Sequence, residues 1–411
     1  MKKTLMLLIV VLMTVAGISA AFAEGEPESP SSLENPVAGY KGGIFIQNSD
    51  KSFTFKINGR LQPRIYFRKS TGSASTYSFM VKRANVGFTA NVYEKASFTF
   101  TLQHSTGSSE FSGVNILGAT ASYEFMPEFV VTAGMVGLPL SINGTVSSLS
   151  LLTLEAPLIM TQQDGGTITP MRGEFGNPDG LGLNLSGQIW KFGYEFAVIN
   201  GAQNVTGTLG TPTATGGVES NYNLNINKRV SAGARLSFDV LDSAITGSET
   251  DLPYSEKPKL SVNIGGNYQG KRTDPTTAAE VKRILTGTFG GAFRWRGFAL
   301  NAEVFGRRMT LTDVGNSGLA GLEMDDFGYY ADTGYFVLPD KLEVAALGAQ
   351  IFREGPHNNS YQFGGGVNWY PKGSKNLKLQ LHYRLTGRFD DVLDAGTAKE
   401  NYIGLQGQVA F

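Results

Sequence analysis

Cysteine is absent from this chain, and histidine and tryptophan each occur only three times. Without cysteine there is no disulfide framework, so an exported chain of this size must be stable by other means. His104, His357 and His382 each lack a cysteine or histidine partner at metal spacing, and no cofactor is implied. Charge of one sign is also missing: 35 basic residues face 35 acidic ones, which excludes a general nucleic-acid binder. Past the N-terminus no apolar run approaches about 18 residues, so helical membrane spans are excluded. What the chain does have is 52 glycines, 26 phenylalanines and 16 tyrosines, a composition that reads as all-β.

The first residues carry an address. Met1-Lys2-Lys3 is a basic start, Leu5 to Ile18 is hydrophobic, and Ala21-Phe22-Ala23 fits the small-x-small cleavage rule. Residues 1–23 are expected to be a secretory signal peptide cut after Ala23; the competing membrane anchor is too short to span. Cleavage removes Lys2 and Lys3 and leaves 33 basic against 35 acidic residues. Residues 24–50 form the expected periplasmic lead-in, with Glu24 to Lys41 rich in Pro, Glu and Ser; a partner-binding tail is the other reading.

From Phe53 onward, alternating segments of about ten residues follow one another, the signature of a transmembrane barrel. They start near Phe53, Phe79, Ala96, Val114, Phe129, Leu181, Phe192, Val230, Leu260, Leu285, Phe298, Phe327, Leu342, Tyr361, Leu377 and Tyr402, sixteen in all. Short turns such as Glu94-Lys95, Arg296-Gly297 and Leu338 to Lys341 alternate with long polar loops such as Leu138 to Gly180 and Gly201 to Lys228. Leu241 to Lys259 breaks the pattern, being long where a short turn is due. Trp190, Trp295 and Trp369 each stand beside a short turn, as an interfacial aromatic girdle requires; core tryptophans near hairpin ends are the alternative. The expected architecture is therefore an all-β, antiparallel up-and-down barrel of about 16 strands over residues 51–411.

The last stretch supports it. Ile403, Leu405, Gly407, Val409 and Phe411 share one parity, and Tyr402, Gly404, Gln406, Gln408 and Ala410 share the other. An oily face running to a terminal Phe suits a strand covered by lipid, and it is similar to the assembly signal of bacterial outer-membrane proteins. The last strand of a soluble β-sandwich is the rival.

If the oily parity meets lipid, the other meets the lumen. Lys56, Arg60, Arg64 and Arg68 recur every fourth residue on the first strand, about 13 Å apart along it. Parity also places Arg83, Arg235, Arg294, Arg307, Lys378 and Arg384 inside, with Glu124, Glu195, Glu303 and Glu343. Ten basic against four acidic side chains make a positive bore in a near-neutral chain, and such a bore concentrates anions. The alternative is that these cations pair with loop carboxylates and pack the lumen. The loop Leu138 to Gly180 carries Leu149, Leu151, Leu152, Leu154, Leu158, Ile159 and Met160 before Gln162, Gln163 and Asp164. A partly apolar loop of this length does not stay in solvent. It is expected to fold inward and narrow the pore, with Glu155, Gln162, Gln163, Asp164 and Arg172 at the constriction; packing on neighbours outside is the competing arrangement.

Several stretches together resemble the phosphate-selective porins of the O and P type. They are Ile57 to Gln62, Val81 to Phe88, Tyr194 to Gly201, Gly328 to Phe336 followed by Pro339 to Glu343, and Gly366 to Tyr370 followed by Asn376 to Gln380. The resemblance spans nearly the whole mature chain. It implies a sixteen-stranded outer-membrane barrel, usually trimeric, with an inward-folded third loop and a basic lumen that passes anions; Arg60 and Arg83 match its basic positions. The chain departs from the pattern at Val136-Gly137-Leu138, where a Lys often precedes the Pro, and at Leu347, where an Arg often stands. The long loop holds Arg172 alone against Glu155, Asp164, Glu174 and Asp179. A tight phosphate site needs several converging Arg or Lys donors, so the fold carries over better than phosphate selectivity.

The resulting expectation is a homotrimeric outer-membrane porin in contact with lipid. It passes small hydrophilic solutes passively, prefers anions and includes phosphate among its candidate solutes. A non-selective porin and a structural or adhesive surface barrel are the alternatives. An enzyme is not expected, since His104 and Ser105 are strand neighbours that point to opposite faces. The cluster Asp390, Asp391 and Asp394 with His357 reads as solvated outer loop, with a weak divalent-ion role as the other reading.

Overall fold

The computed structural model describes residues 37–40, 42–106, 111–161, 179–200, 230–244, 247–270, 272–273, 280–313, 323–354, 359–389 and 399–411. Residues 1–36, and with them the expected signal peptide, lie outside this set, as do Gln162, Gln163, Asp164, Arg172, His357 and the 390–394 acidic cluster.

Nineteen strands are present among the described residues. β1 Val37–Tyr40 and β2 Ile44–Gln47 form a short hairpin within the lead-in. The wall begins with β3 Phe53–Ser70, β4 Thr76–Val92, β5 Ala96–Thr106, β6 Phe111–Met126 and β7 Phe129–Gly137. It continues through β8 Asp179–Ile189, β9 Phe192–Asn200, β10 Val230–Asp239 and β11 Lys259–Gln269. The two-residue β12 Arg272–Thr273 extends the outer end of the β11 connection. β13 Glu280–Trp295, β14 Phe298–Asp313, β15 Glu323–Leu338, β16 Leu342–Arg353, β17 Asn359–Trp369, β18 Leu377–Phe389 and β19 Lys399–Ala410 complete it. Without the hairpin and β12, sixteen strands remain. Each pairs antiparallel with the next, and β19 returns to β3 from Glu400↔Ser70 to Ala410↔Arg60. Below that seam β2 takes over the edge of β3, pairing Ile44↔Ile57 through Gln47↔Thr54. No edge of the wall is left open along β3, which is how a sheet survives in a solvent that offers no hydrogen bonds.

The sixteen expected segments coincide with these sixteen strands, though most strands are longer. The period of two sorts the side chains as the alternation requires. Leu61, Ile65, Phe79, Ile264, Phe289, Leu381 and Ile403 face outward and are exposed, while Gln62, Arg64, Asn263, Gln380 and Gln406 face inward and are buried. This is a globular protein turned inside out, and it places oily side chains against lipid at no hydrophobic cost. Tight turns close one end. Arg296 and Gly297 (φ 47° and 80°) take the left-handed pair that a two-residue hairpin demands, and Tyr93 and Glu94 (φ 51° and 58°) are left-handed in the three-residue turn Tyr93 to Lys95. Trp190, Trp295 and Trp369 are exposed around that same end. Lys191 lies over Trp190 and Arg296 over Trp295, with the cations 5.7 and 5.4 Å from the ring centroids.

Candidate functional site

The chain leaving β7 turns into the barrel. Leu138 and Leu140 are fully covered, the first packing with Val136, Ala197 and Ile199. Gly265 on β11 permits this approach, since a methyl group there would stand 2.3 Å from the Leu140 carbonyl oxygen. Further on, Leu158 opens a one-turn helix, α1 Leu158–Thr161. Leu158 and Ile159 bury themselves against Phe305, Tyr330, Ala349 and Ile351, and Ile159 uses the space over Gly328. The apolar residues of the loop thus find a core inside a polar-lined tube, which is why the loop folds inward instead of reaching into solvent.

Between those two anchors the loop is held by hydrogen bonds from the wall. Glu303 accepts from the Ser141 hydroxyl at 2.5 Å, the Ile142 amide at 3.1 Å and the Tyr330 hydroxyl at 2.8 Å. Lys378 donates to the carbonyl oxygens of Leu149 and Leu151 at 3.2 and 3.1 Å. Asn368 donates to Leu152 O at 2.9 Å and Arg64 to Leu154 O at 3.0 Å. Behind them an amide chain crosses four strands: Arg64 to Gln406, Gln406 to Gln380, and Gln380 to Asn368, at 2.9, 3.2 and 3.0 Å.

The irregular connection after β10 is the second inward segment. Ala244, Glu249, Thr250 and Asp251 are buried. Asp251 accepts from the Ser255 hydroxyl and the Gly297 amide at 2.6 and 2.8 Å. Glu249 accepts from the Leu152 amide at 2.7 Å and from Asn143, and its own amide donates to Ser150 O at 3.2 Å. Burial, then the nearby Asp332, pushes the Glu249 carboxyl well above the usual range. Segments from opposite ends of the barrel therefore meet at Ser150 to Leu152. They cover the inner wall of β13–β19, where Asn301, Glu343, Gln380 and Gln408 are buried. The inward hydroxyls and amides of β4–β8, among them Thr89, Thr99, Thr101, Ser122 and Asn184, keep part of their surface open.

The expected basic residues divide accordingly. Arg294, Arg307 and Lys378 are buried. Arg294 donates to Ser248 O at 2.8 Å, and Arg307 pairs with Asp326 at 2.6 Å. Arg235 pairs with Glu195 at 2.7 Å and Arg384 with Glu400 at 3.1 Å. Arg68 is exposed near the outer end of β3, and Lys56 is half-buried near the inner end. Arg60, Arg64 and Arg83 converge where the inward loop meets β3 and β4. Arg64 Nη1 is 2.7 Å from Glu155 Oε1, Arg83 Nη2 is 2.7 Å from Glu155 Oε2, and Arg60 donates to the Ser148 hydroxyl.

A fourth cation there was not expected. Lys82 Nζ stands 3.3 Å from Glu155 Oε1. In the register of β3 and β4, Gln62 pairs with Arg83 and Pro63 with Val81, so Lys82 is the extra residue of a β-bulge. The bulge turns two successive side chains to the same face. A proline inside an otherwise regular strand was the available signal, because proline in a sheet marks an edge or a bulge. Three cations, Arg64, Lys82 and Arg83, thus surround one carboxylate, with Arg60 close to Arg83. Burial opposes ionisation of Glu155, but Arg83, Arg64 and Lys82 outweigh it and hold the carboxyl down at about 2.

Known proteins place this arrangement. The fold is shared with the anion-selective porin from Comamonas acidovorans (TM-score 0.60, 13% identity, 87% of this chain and 100% of that one). It is shared equally with the outer membrane channel DcaP of Acinetobacter baumannii (TM-score 0.57, 13% identity, 91% of this chain and 100% of that one). The Pseudomonas putida OprB structure at high pH is similar as well (TM-score 0.51, 10% identity, 87% and 94% covered). No curated protein matches the sequence. The family model described as phosphate-selective porin O and P matches residues 55–411, the whole barrel from β3 to the C-terminal Phe. The inward loop, the closed wall and that match lead to one conclusion: the chain belongs to the phosphate-selective porin O and P family and is an outer-membrane porin, a channel and not an enzyme.

Proposed function

We propose that this porin passes small hydrophilic solutes by diffusion and prefers anions, phosphate among them. The observation that carries the reading is the cluster of Arg64, Lys82 and Arg83 around the single carboxylate of Glu155, with Arg60 close to Arg83. Lys82 and Arg83 keep 31% and 18% of their side-chain surface open, so a passing ion can reach them. Excess positive charge in a low-dielectric tube raises the local concentration of anions. Among the described residues Arg235, Arg307 and Arg384 are each paired with a carboxylate, of Glu195, Asp326 and Glu400, which favours a moderate preference over strict selectivity. With Leu347 inside where the resembling family often has Arg, phosphate is read as one solute among several. The proposal includes signal-peptide cleavage after Ala23 and assembly as a homotrimer.

The test is the reversal potential of single channels in a KCl gradient, with and without inorganic phosphate. A potential on the chloride side is expected. A potential on the potassium side overturns the reading.

A further inference from the structure

We propose that Glu155 is a built-in occupant of an oxyanion site formed by Arg64, Lys82 and Arg83, and that permeating oxyanions compete with it there. This rests on the anion reading above and adds the residue that limits the binding of such a solute.

The geometry differs from the other ion pairs of the barrel. Arg307 with Asp326 and Arg235 with Glu195 are directly opposed neighbours on adjacent strands. Glu155 comes from the inward loop, and its two oxygens divide among three cations: Oε1 to Arg64 and Lys82, Oε2 to Arg83. Two oxygens bridging guanidinium and ammonium donors are what a carboxylate or one face of a phosphate ion presents. Chloride is a single-centre ion with no pair of oxygens to span the site, and it gains less from the same donors.

The loop fixes Glu155 from both sides. Leu152 and Leu154 are tied to the wall through Asn368 and Arg64, and Leu158 and Ile159 are buried just beyond. A tethered carboxylate acts at a high effective concentration, so a free anion must displace it to use the site. Lys82 and Arg83 are partly open to water while Arg64 is not, so displacement begins at those two. The consequence is a site that attracts oxyanions but releases them readily, the condition for conduction.

The experiment uses the full chain in planar bilayers, with inorganic phosphate as the probe. Wild type and Glu155→Gln are compared for reversal potential in a KCl gradient and for phosphate block of the KCl current. In Glu155→Gln the half-blocking phosphate concentration is expected to fall by about tenfold, the scale of one charge-assisted hydrogen bond, and the reversal potential to move further to the chloride side. Glu155→Asp retracts the carboxylate without removing its charge, and its block should lie between the two. It decides the matter if Glu155→Gln does not yield a heat-modifiable folded band. Block and selectivity unchanged from wild type in a folded Glu155 variant overturn the inference while leaving the anion reading intact. Cation preference in wild type overturns the anion reading itself.

Discussion

Phe411 lays its ring across Gly59: a methyl group on Gly59 would stand 2.5 Å from two ring carbons, and each residue's amide donates to the other's carbonyl oxygen at 3.0 Å. This pair ends the seam between the last strand and the first. Below it the edge of β3 passes to β2. Gly59→Ala is therefore expected to force the ring off the wall and weaken closure by about 1–3 kcal/mol, the usual cost of overpacking. The measurement is the temperature at which the compact band is lost on unboiled gels, which should fall by several degrees. An unchanged transition would show that the seam tolerates the ring elsewhere.

Lys378 holds the loop from below. Lys378→Met keeps the length of the side chain but withdraws donors from Leu149 O and Leu151 O, at a cost of about 1–3 kcal/mol in loop docking. The barrel itself should stay closed, because its wall does not depend on this contact. The expected signature is a noisier open-channel current with normal heat-modifiability.

These two predictions concern features of different legibility. Strand positions were readable because a wall facing lipid on one side and water on the other imposes a strict period of two. Phe53, Ala96, Phe129, Phe192, Val230, Phe298, Leu342 and Leu377 start their strands as the alternation requires. The inward course of the loop was readable from Leu149 to Met160, since so apolar a stretch needs a core. The same parity argument could not say which inward cations meet water. Arg294 and Lys378 face inward, yet they are buried against two loop segments whose paths no period encodes, and Arg307 is buried in its pair with Asp326. Lys82 escaped because it is the extra residue of a bulge that reverses the parity of β4 opposite Pro63.

Lys82 is half-buried, and no strand partner stands opposite it. Lys82→Met should thus remove one cation from the cluster at little cost to the fold. The reversal potential in a KCl gradient should move toward zero, with single-channel conductance reduced less than twofold. A potential equal to that of wild type would show that the passing ion does not sense this position.

The low pKa of Glu155 sets a pH window. Its carboxyl is held at about 2 against an ordinary 4.5, so the folded form releases its proton more readily than the unfolded chain. The contribution is fully present above pH 4.5 and fades as pH falls through 2, and it amounts to something on the order of 3 kcal/mol. Barrel stability in detergent should stay level through the Glu155 contribution down to about pH 4.5, then decline. In Glu155→Gln that share of the decline should be absent, which the difference between the two melting curves against pH reads directly.

The three tryptophans give a test of how the barrel sits in lipid. Trp190, Trp295 and Trp369 are exposed at the tight-turn ends of their strands, with relative exposures of 75%, 43% and 48%. An indole at a membrane interface keeps its ring in the acyl boundary and its N–H near the headgroups. In vesicles of brominated phospholipid, bromines placed high on the acyl chain should quench the fluorescence more than bromines near its end. Because all three residues lie at one end, replacing any one by Phe should lower the signal without changing that depth profile. Maximal quenching by deep bromines would contradict the girdle, since it would place the tight turns inside the hydrocarbon, where their backbone groups would go unpaired.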